Sequence, residues 1–152
     1  MISQKTRYAL KALLLLAGEE KAKKGPVLIS SLARRGHMPR KFLESILLEL
    51  KNNGILQSKK GKGGGYSLGK PAGEILLGNV VRIFEGPLAL IPCVSKSLNH
   101  RCRDCHDPET AGLRLLFQEV RDATAEILDN TSLEKVLRAQ QEANEKISTY
   151  AI

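Results

Sequence analysis

The chain has 152 residues, of which 42% are apolar and 26% charged; this is enough to bury one core and too apolar for a disordered polymer. Its longest apolar run, residues 12–17, is far short of the roughly 20 residues a membrane-spanning helix needs, and no signal-peptide pattern opens the chain, so a cytoplasmic protein with no membrane partner is expected. The net charge of +8 sits unevenly: residues 1–70 carry fifteen Lys/Arg against four Asp/Glu, residues 71–152 nine against twelve. The first half therefore has the electrostatic footprint of a polyanion-binding module.

Taken from the N-terminus, residues 4–20 place Tyr8, Ala12, Leu15 and Leu16 at helical spacing, which predicts a half-buried first helix. Charge, glycine and proline at residues 21–26 break it into a loop. Ile29, Leu32 and Ala33 before Gly36 predict a short helix ending in a turn at that glycine. Pro39 suits the first position of the next helix, where a missing N–H costs nothing. From there Phe42, Leu43, Ile46, Leu47 and Leu50 form one apolar stripe, and Asn53-Gly54 ends it. Two helices joined by a short turn, the second opening with Arg40 and Lys41, have the layout of a helix-turn-helix.

Beyond Gly54 the period changes to that of short strands at residues 55–58 and 66–68, flanking a tip with Lys59, Lys60, Lys62 and four glycines. A basic, glycine-rich hairpin tip suits a phosphate backbone or a minor groove. It lacks the GK-S/T ending and the following helix of a nucleotide-binding P-loop. Residues 75–84 predict a short apolar helix. Asp107 as cap, Pro108 and Glu109 then open a long helix in which Leu113, Leu116, Phe117, Val120, Thr124 and Ile127 share a face that needs a partner. Thr131 and Glu134 suggest a capping box for a last helix bearing Leu133, Val136 and Leu137, with a fraying polar tail beyond about residue 140.

All three cysteines, Cys93, Cys102 and Cys105, lie in one short stretch between the short helix and the long one. An odd number cannot pair completely within one chain, and a reducing cytoplasm opposes structural disulfides, which leaves metal ligation, redox chemistry or inert burial. The neighbouring Lys96, Asn99, Arg101 and Arg103 argue against an apolar burial site.

The ordered set RYALKALLLLA (7–17), FLESILLELKNNGIL (42–56), KGKGGGYSLGKP (60–71), ILLGNVVRIFEGPL (75–88) and the cysteine loop leading into a long helix resembles the bacterial winged-helix transcription regulators of the IscR/NsrR/CymR type. The resemblance implies a mainly α fold with a small β-hairpin wing: a winged helix-turn-helix DNA-binding head at 1–72, a linking helix at 73–90, a cysteine loop at 91–107, and a dimerisation helix with a C-terminal helix at 108–152. It implies a homodimer that reads a double-stranded DNA operator and has no catalytic activity. In cluster-bearing members three cysteines hold an iron–sulfur centre, and the matching positions are Cys93, Cys102 and Cys105. The spacing here, Cys-x8-Cys-x2-Cys, is less even than in the iron–sulfur regulator, and Ser45 stands where several relatives carry glutamine.

Thiolates suit iron–sulfur iron and zinc, both of which usually take four ligands. Cys102 and Cys105 make a chelating pair, Cys93 a third ligand, and His106 is the first candidate for the fourth, followed by His100 and then Asp104, Asp107 and Glu109. A 2Fe–2S centre is placed ahead of 4Fe–4S; zinc, or thiol oxidation promoted by Arg101 and Arg103, is the alternative. For DNA, Arg40, Lys41 and Glu44 are placed to reach base edges, Lys59, Lys60 and Lys62 the phosphates or minor groove, and Arg7 or Lys5 the backbone. His37 reads as a turn or phosphate-facing residue. A small iron–sulfur electron-transfer or carrier protein, docking through its basic wing, is the rival from another class.

Overall fold

Helix α1 (Gln4–Lys21) is the element against which the first half of the chain folds, in a computed structural model that describes residues 2–95 and 107–151. Ser3 caps it by accepting the Thr6 N–H at 3.2 Å. Its buried side is Ala9, Ala12, Leu13, Leu16 and Ala17, while Tyr8 and Leu15 pack only partly buried at the margin of the core. Small residues at Ala9, Ala12 and Ala17 let neighbouring helices approach closely; leucines at 13 and 16 fill the space between them.

Helices α2 (Ile29–Gly36) and α3 (Arg40–Asn52) complete the three-helix unit. The turn between them differs from the sequence expectation in two details. Gly36 is the last helical residue and lies under Met38, so that a Cβ there would lie 2.3 Å from Met38 Cε, and the left-handed residue is His37 at φ 51°. Pro39 is the N-cap of α3 and not its first helical residue; its carbonyl accepts the Leu43 N–H at 2.9 Å. Leu43, Ile46, Leu47 and Leu50 are fully buried as their spacing predicts. Phe42 is instead 38% exposed and meets Tyr8 edge to face at 5.8 Å, since position 42 falls at the edge of the stripe.

Strands β1 (Leu56–Lys59) and β2 (Gly65–Leu68) pair antiparallel with Leu56 opposite Leu68 and Lys59 opposite Gly65. Val27 adds an antiparallel bridge to Tyr66, exchanging both backbone hydrogen bonds at 2.8 Å. The hairpin is thereby tied to the loop between α1 and α2.

After a 3-10 turn at Ala72–Glu74, helix α4 (Leu77–Glu85) buries Gly78, Val80 and Val81 and ends at Gly86. The chain then runs through a 3-10 turn, Pro92–Val94, that contains Cys93. Asp107 caps the next turn, accepting the Glu109 N–H at 3.0 Å. That turn, Pro108–Thr110, is 3-10, and helix α5 proper is Ala111–Asp129.

Helix α6 (Leu133–Tyr150) returns to α1. Its cap is Ser132, which accepts the Lys135 N–H at 3.2 Å, in place of the expected Thr131; the Thr131 hydroxyl donates to the Ile127 carbonyl, and its own carbonyl accepts from the Leu77 N–H. Leu133 and Leu137 enter the core, joined by the Leu133 N–H to Ile75 carbonyl bond at 2.8 Å. The helix continues through residue 140, expected to start a frayed tail, as far as Tyr150.

Candidate functional site

The basic residues singled out in the sequence are exposed on three elements: Arg7 on α1, Arg40 and Lys41 on the first turn of α3, and Lys59, Lys60 and Lys62 at the hairpin tip. The α3 turn is presented by the buried leucines behind it, and the tip by Gly61 and Gly63 at φ 88° and 72°, values that side-chain-bearing residues rarely adopt. Glu44 faces solvent one turn after Arg40, and the two pair at 3.5 Å, Nε to Oε1. A carboxylate and a guanidinium are thus held in register on one helix face. Lys5, in contrast, is engaged within the fold: Nζ lies 2.5 Å from Glu49 Oε2 and 5.4 Å from the centre of the Phe84 ring. Arg7 donates to Gln4 Oε1 at 3.4 Å. His37 is exposed in its left-handed turn.

Cys93 sits between Pro92 and the buried Val94 and is disulfide-bonded. Cys102, Cys105, His100 and His106 lie outside the described residues, as does Asp104. Asp107 is committed as a cap and Glu109 lies in the first turn after it. Among the described residues no three His, Cys, Asp or Glu side chains gather as a metal site.

Three polar clamps, none legible as pairs in the sequence, link this segment to the head. The Arg121 Nη1 on α5 donates to the carbonyl of Val94. Arg82 on α4 makes a two-pronged pair with Asp129 at the end of α5, at 2.6 and 2.9 Å; each group favours the charged form of the other, raising the guanidinium pKa and lowering that of the carboxyl. Gly78 makes this pair possible, since a Cβ there would lie 1.9 Å from Asp129 Oδ1. Finally Glu85, at the end of α4, accepts from the Ser3 N–H at 2.7 Å and from the buried Thr6 hydroxyl at the start of α1. These hydrogen bonds, those involving Ser3 foremost, hold its carboxyl at about 2, below its ordinary 4.5.

Helix α5 leaves Leu113, Leu115, Leu116 and Ile127 more than half exposed and has no buried residue of its own. Among the described residues no helix is long and apolar enough to cross a membrane.

Known proteins share this outline. Residues 2–139 match the Rrf2 family, described as an iron-dependent transcriptional regulator. A putative helix-turn-helix-type transcriptional regulator, rrf2-like, of Rhodobacter capsulatus is 41% identical over 140 residues, covering 91% of this chain and 93% of that protein. Among solved structures, CymR, the global cysteine regulator of B. subtilis, is 32% identical, with a TM-score of 0.74, covering 91% of this chain and 97% of that one. IscR of T. potens is 26% identical, with a TM-score of 0.73 over 94% and 90%. These relatives are transcription regulators, not enzymes, and they share the helical fold with its two-stranded wing.

Proposed function

The chain belongs to the Rrf2 family of transcriptional regulators, and from that premise we propose that it acts as a homodimer whose operator affinity is set by the state of Cys93, Cys102 and Cys105. The observation that carries the proposal is the position of Cys93: it lies in a turn whose neighbour Val94 is held by the long helix. A change at the thiol therefore has a mechanical route into the rest of the molecule.

On the DNA side, Arg40 and Glu44 are the base-reading pair, Lys41 supports them, and Lys59, Lys60, Lys62 and Arg7 contact the backbone. Phosphate contacts of this kind supply affinity and salt dependence, whereas the α3 residues supply discrimination. Paired heads require the exposed leucine face of α5 to be covered by a second copy. That pairing converts two weak half-site contacts into one strong one.

On the sensing side, three thiolates with one nitrogen or oxygen donor fit an iron–sulfur centre, with His106 as fourth ligand and His100 next. A 2Fe–2S centre is preferred to a 4Fe–4S one, and zinc is the competing metal. When bound, such a centre would supply a redox- and nitric-oxide-sensitive group whose gain or loss reshapes the loop. The protein's own contribution is to place Cys93 beside α5, and to commit Asp107 to capping, which leaves histidine as the more available fourth donor. The competing reading is direct thiol oxidation, in which two thiols lose two protons and two electrons to an oxidant.

Anaerobic purification separates these readings. Iron, acid-labile sulfide and visible absorbance that fall in Cys93→Ala, Cys102→Ala and Cys105→Ala are the expected result; a colourless protein with stoichiometric zinc, or without metal, overturns the cluster. Selection from a random duplex library identifies the operator. On the selected duplex, Lys60→Ala lowers affinity evenly across sequences and reduces the salt slope by about one, as the removal of a single phosphate neighbour requires. Failure to retain any duplex in every metal and thiol state would leave the electron-transfer rival standing.

A further inference from the structure

The structure assigns to Arg121 a role beyond solvation of the long helix: we propose that it is the positioning residue that makes α5 follow the cysteine segment, by gripping the carbonyl of Val94 next to Cys93. This rests on the reading of that segment as the sensor.

Arg121 is unusual for its helix. In α5, where no residue is buried, its side chain is only 13% exposed. Its guanidinium is used on two sides: Nη1 donates to the Val94 carbonyl, while Nε and Nη2 donate to Asp122 Oδ1 at 2.9 and 2.6 Å. Asp122 thus fixes the plane of the fork, and the fork fixes the carbonyl. A charged donor on a neutral carbonyl is among the stronger hydrogen bonds, and a lysine could not hold both partners in one geometry. Val94 itself is 4% exposed and closes a turn whose own hydrogen bond runs from the Ser95 N–H to the Pro92 carbonyl at 3.1 Å. The grip therefore falls on a hydrogen-bonded turn, with Cys93 as its middle residue.

What surrounds the grip allows movement. Residues 86–89 and Ser95 of the strap line a half-open cavity of about 490 Å³, whose opposite wall is Arg121, Ala125 and Asp129, residues four apart on one face of α5. One end of the strap continues from α4, and the other is held by Arg121. The open space lies beside Ser95, next to the turn; when Cys93 changes partner, Arg121 decides whether the shift stays in the strap or tilts the helix. A tilt registered at Arg121 reaches Asp129 on the same face. From there it passes to Arg82 on α4 and, through Glu85, to Ser3 and Thr6 beside Arg7.

The test compares wild type, Arg121→Met and Arg121→Lys in the thiol-reduced and diamide-oxidised states, using the duplex recovered by selection. The readout is the ratio of the two dissociation constants, with thiol titration confirming the same oxidation in each variant and circular dichroism confirming the fold. Wild type is expected to show a ratio of about fivefold or more. Arg121→Met brings the ratio to within about twofold of one while one state keeps wild-type affinity, and Arg121→Lys, still a cation within reach of the carbonyl, recovers part of the ratio. If Arg121→Met does not fold, Arg121→Gln takes its place with the same expectation. A wild-type ratio retained by the neutral variant overturns the role of Arg121 and leaves the sensing reading intact. A ratio of one in wild type that binds DNA in both states overturns sensing by thiol oxidation, and the proposal with it.

Discussion

Helices α1 and α5 are nearly equal in length, 18 and 19 residues, and both are rich in leucine, yet they meet opposite fates. In α1, Leu13 and Leu16 vanish into a core shared with α2, α3, α4 and α6. In α5, Leu113, Leu115 and Leu116 stay more than half exposed, and the helix is held by polar clamps at Arg121 and Asp129. One helix is stabilised by full burial within the chain; the other covers only part of its apolar surface, with Phe117, Val120 and Leu128 half-buried. Exposed apolar surface on a helix is what an interaction surface presents, so the difference sets the helix packed into the core apart from the one on which the proposed pairing depends.

That contrast can be broken from either side. The largest effect is expected in the head: Leu47→Ala empties a fully buried site and should cost about 2–5 kcal/mol in urea unfolding, whereas truncation at Leu116 should barely move the monomer's stability. Next, Leu116→Glu should give a folded monomer in sedimentation velocity and weaken operator binding by about 100-fold, since the two heads then bind separately; a dimer surviving this change would place the pairing surface elsewhere.

The clamps give smaller effects. Asp129→Asn removes the charge facing Arg82, but both side chains are more than a third exposed, so the destabilisation should be within about 1 kcal/mol in thermal melts. Glu85 sharpens the comparison on the pH axis. Its folded pKa of about 2 lies below the ordinary 4.5, so its contribution is complete above about 4.5 and is lost as pH falls toward 2. Wild type should therefore lose head stability across that window, and Glu85→Gln should flatten the profile there without altering the cysteine chemistry.

Most of the helices are legible in the sequence because their apolar periods are long and their ends carry specific residues: Gly54 after α3, Gly86 after α4, and Asp107-Pro108 before α5. Expectation and structure part where short-range chemistry offers two solutions. Gly36 leaves the space that Met38 fills, and the left-handed turn falls on His37. Ser132 displaces Thr131 as a cap because the Thr131 hydroxyl is turned back to the Ile127 carbonyl. Continuation of α6 to Tyr150 is hidden by a polar composition that suggests a tail, whereas packing of Leu133 and Leu137 anchors its first turns on α1. The candidate DNA-contacting residues are identifiable from charge and position alone; Lys5 is separable from Arg7 only by the Glu49 carboxylate beside it.

The sequence by itself determined the basic first half, the helix-turn-helix with its glycine-rich wing, the grouping of three cysteines, and the apolar face of the long helix, because each is a local pattern in charge, period or residue type. Only the tertiary structure decided which polar residues clasp one another. Arg121 to Val94, Arg82 to Asp129, and Glu85 to Ser3 and Thr6 join positions 27 to 82 residues apart. No period or spacing encodes such pairs; they exist because packing of α4 and α5 brings complementary donors and acceptors within reach.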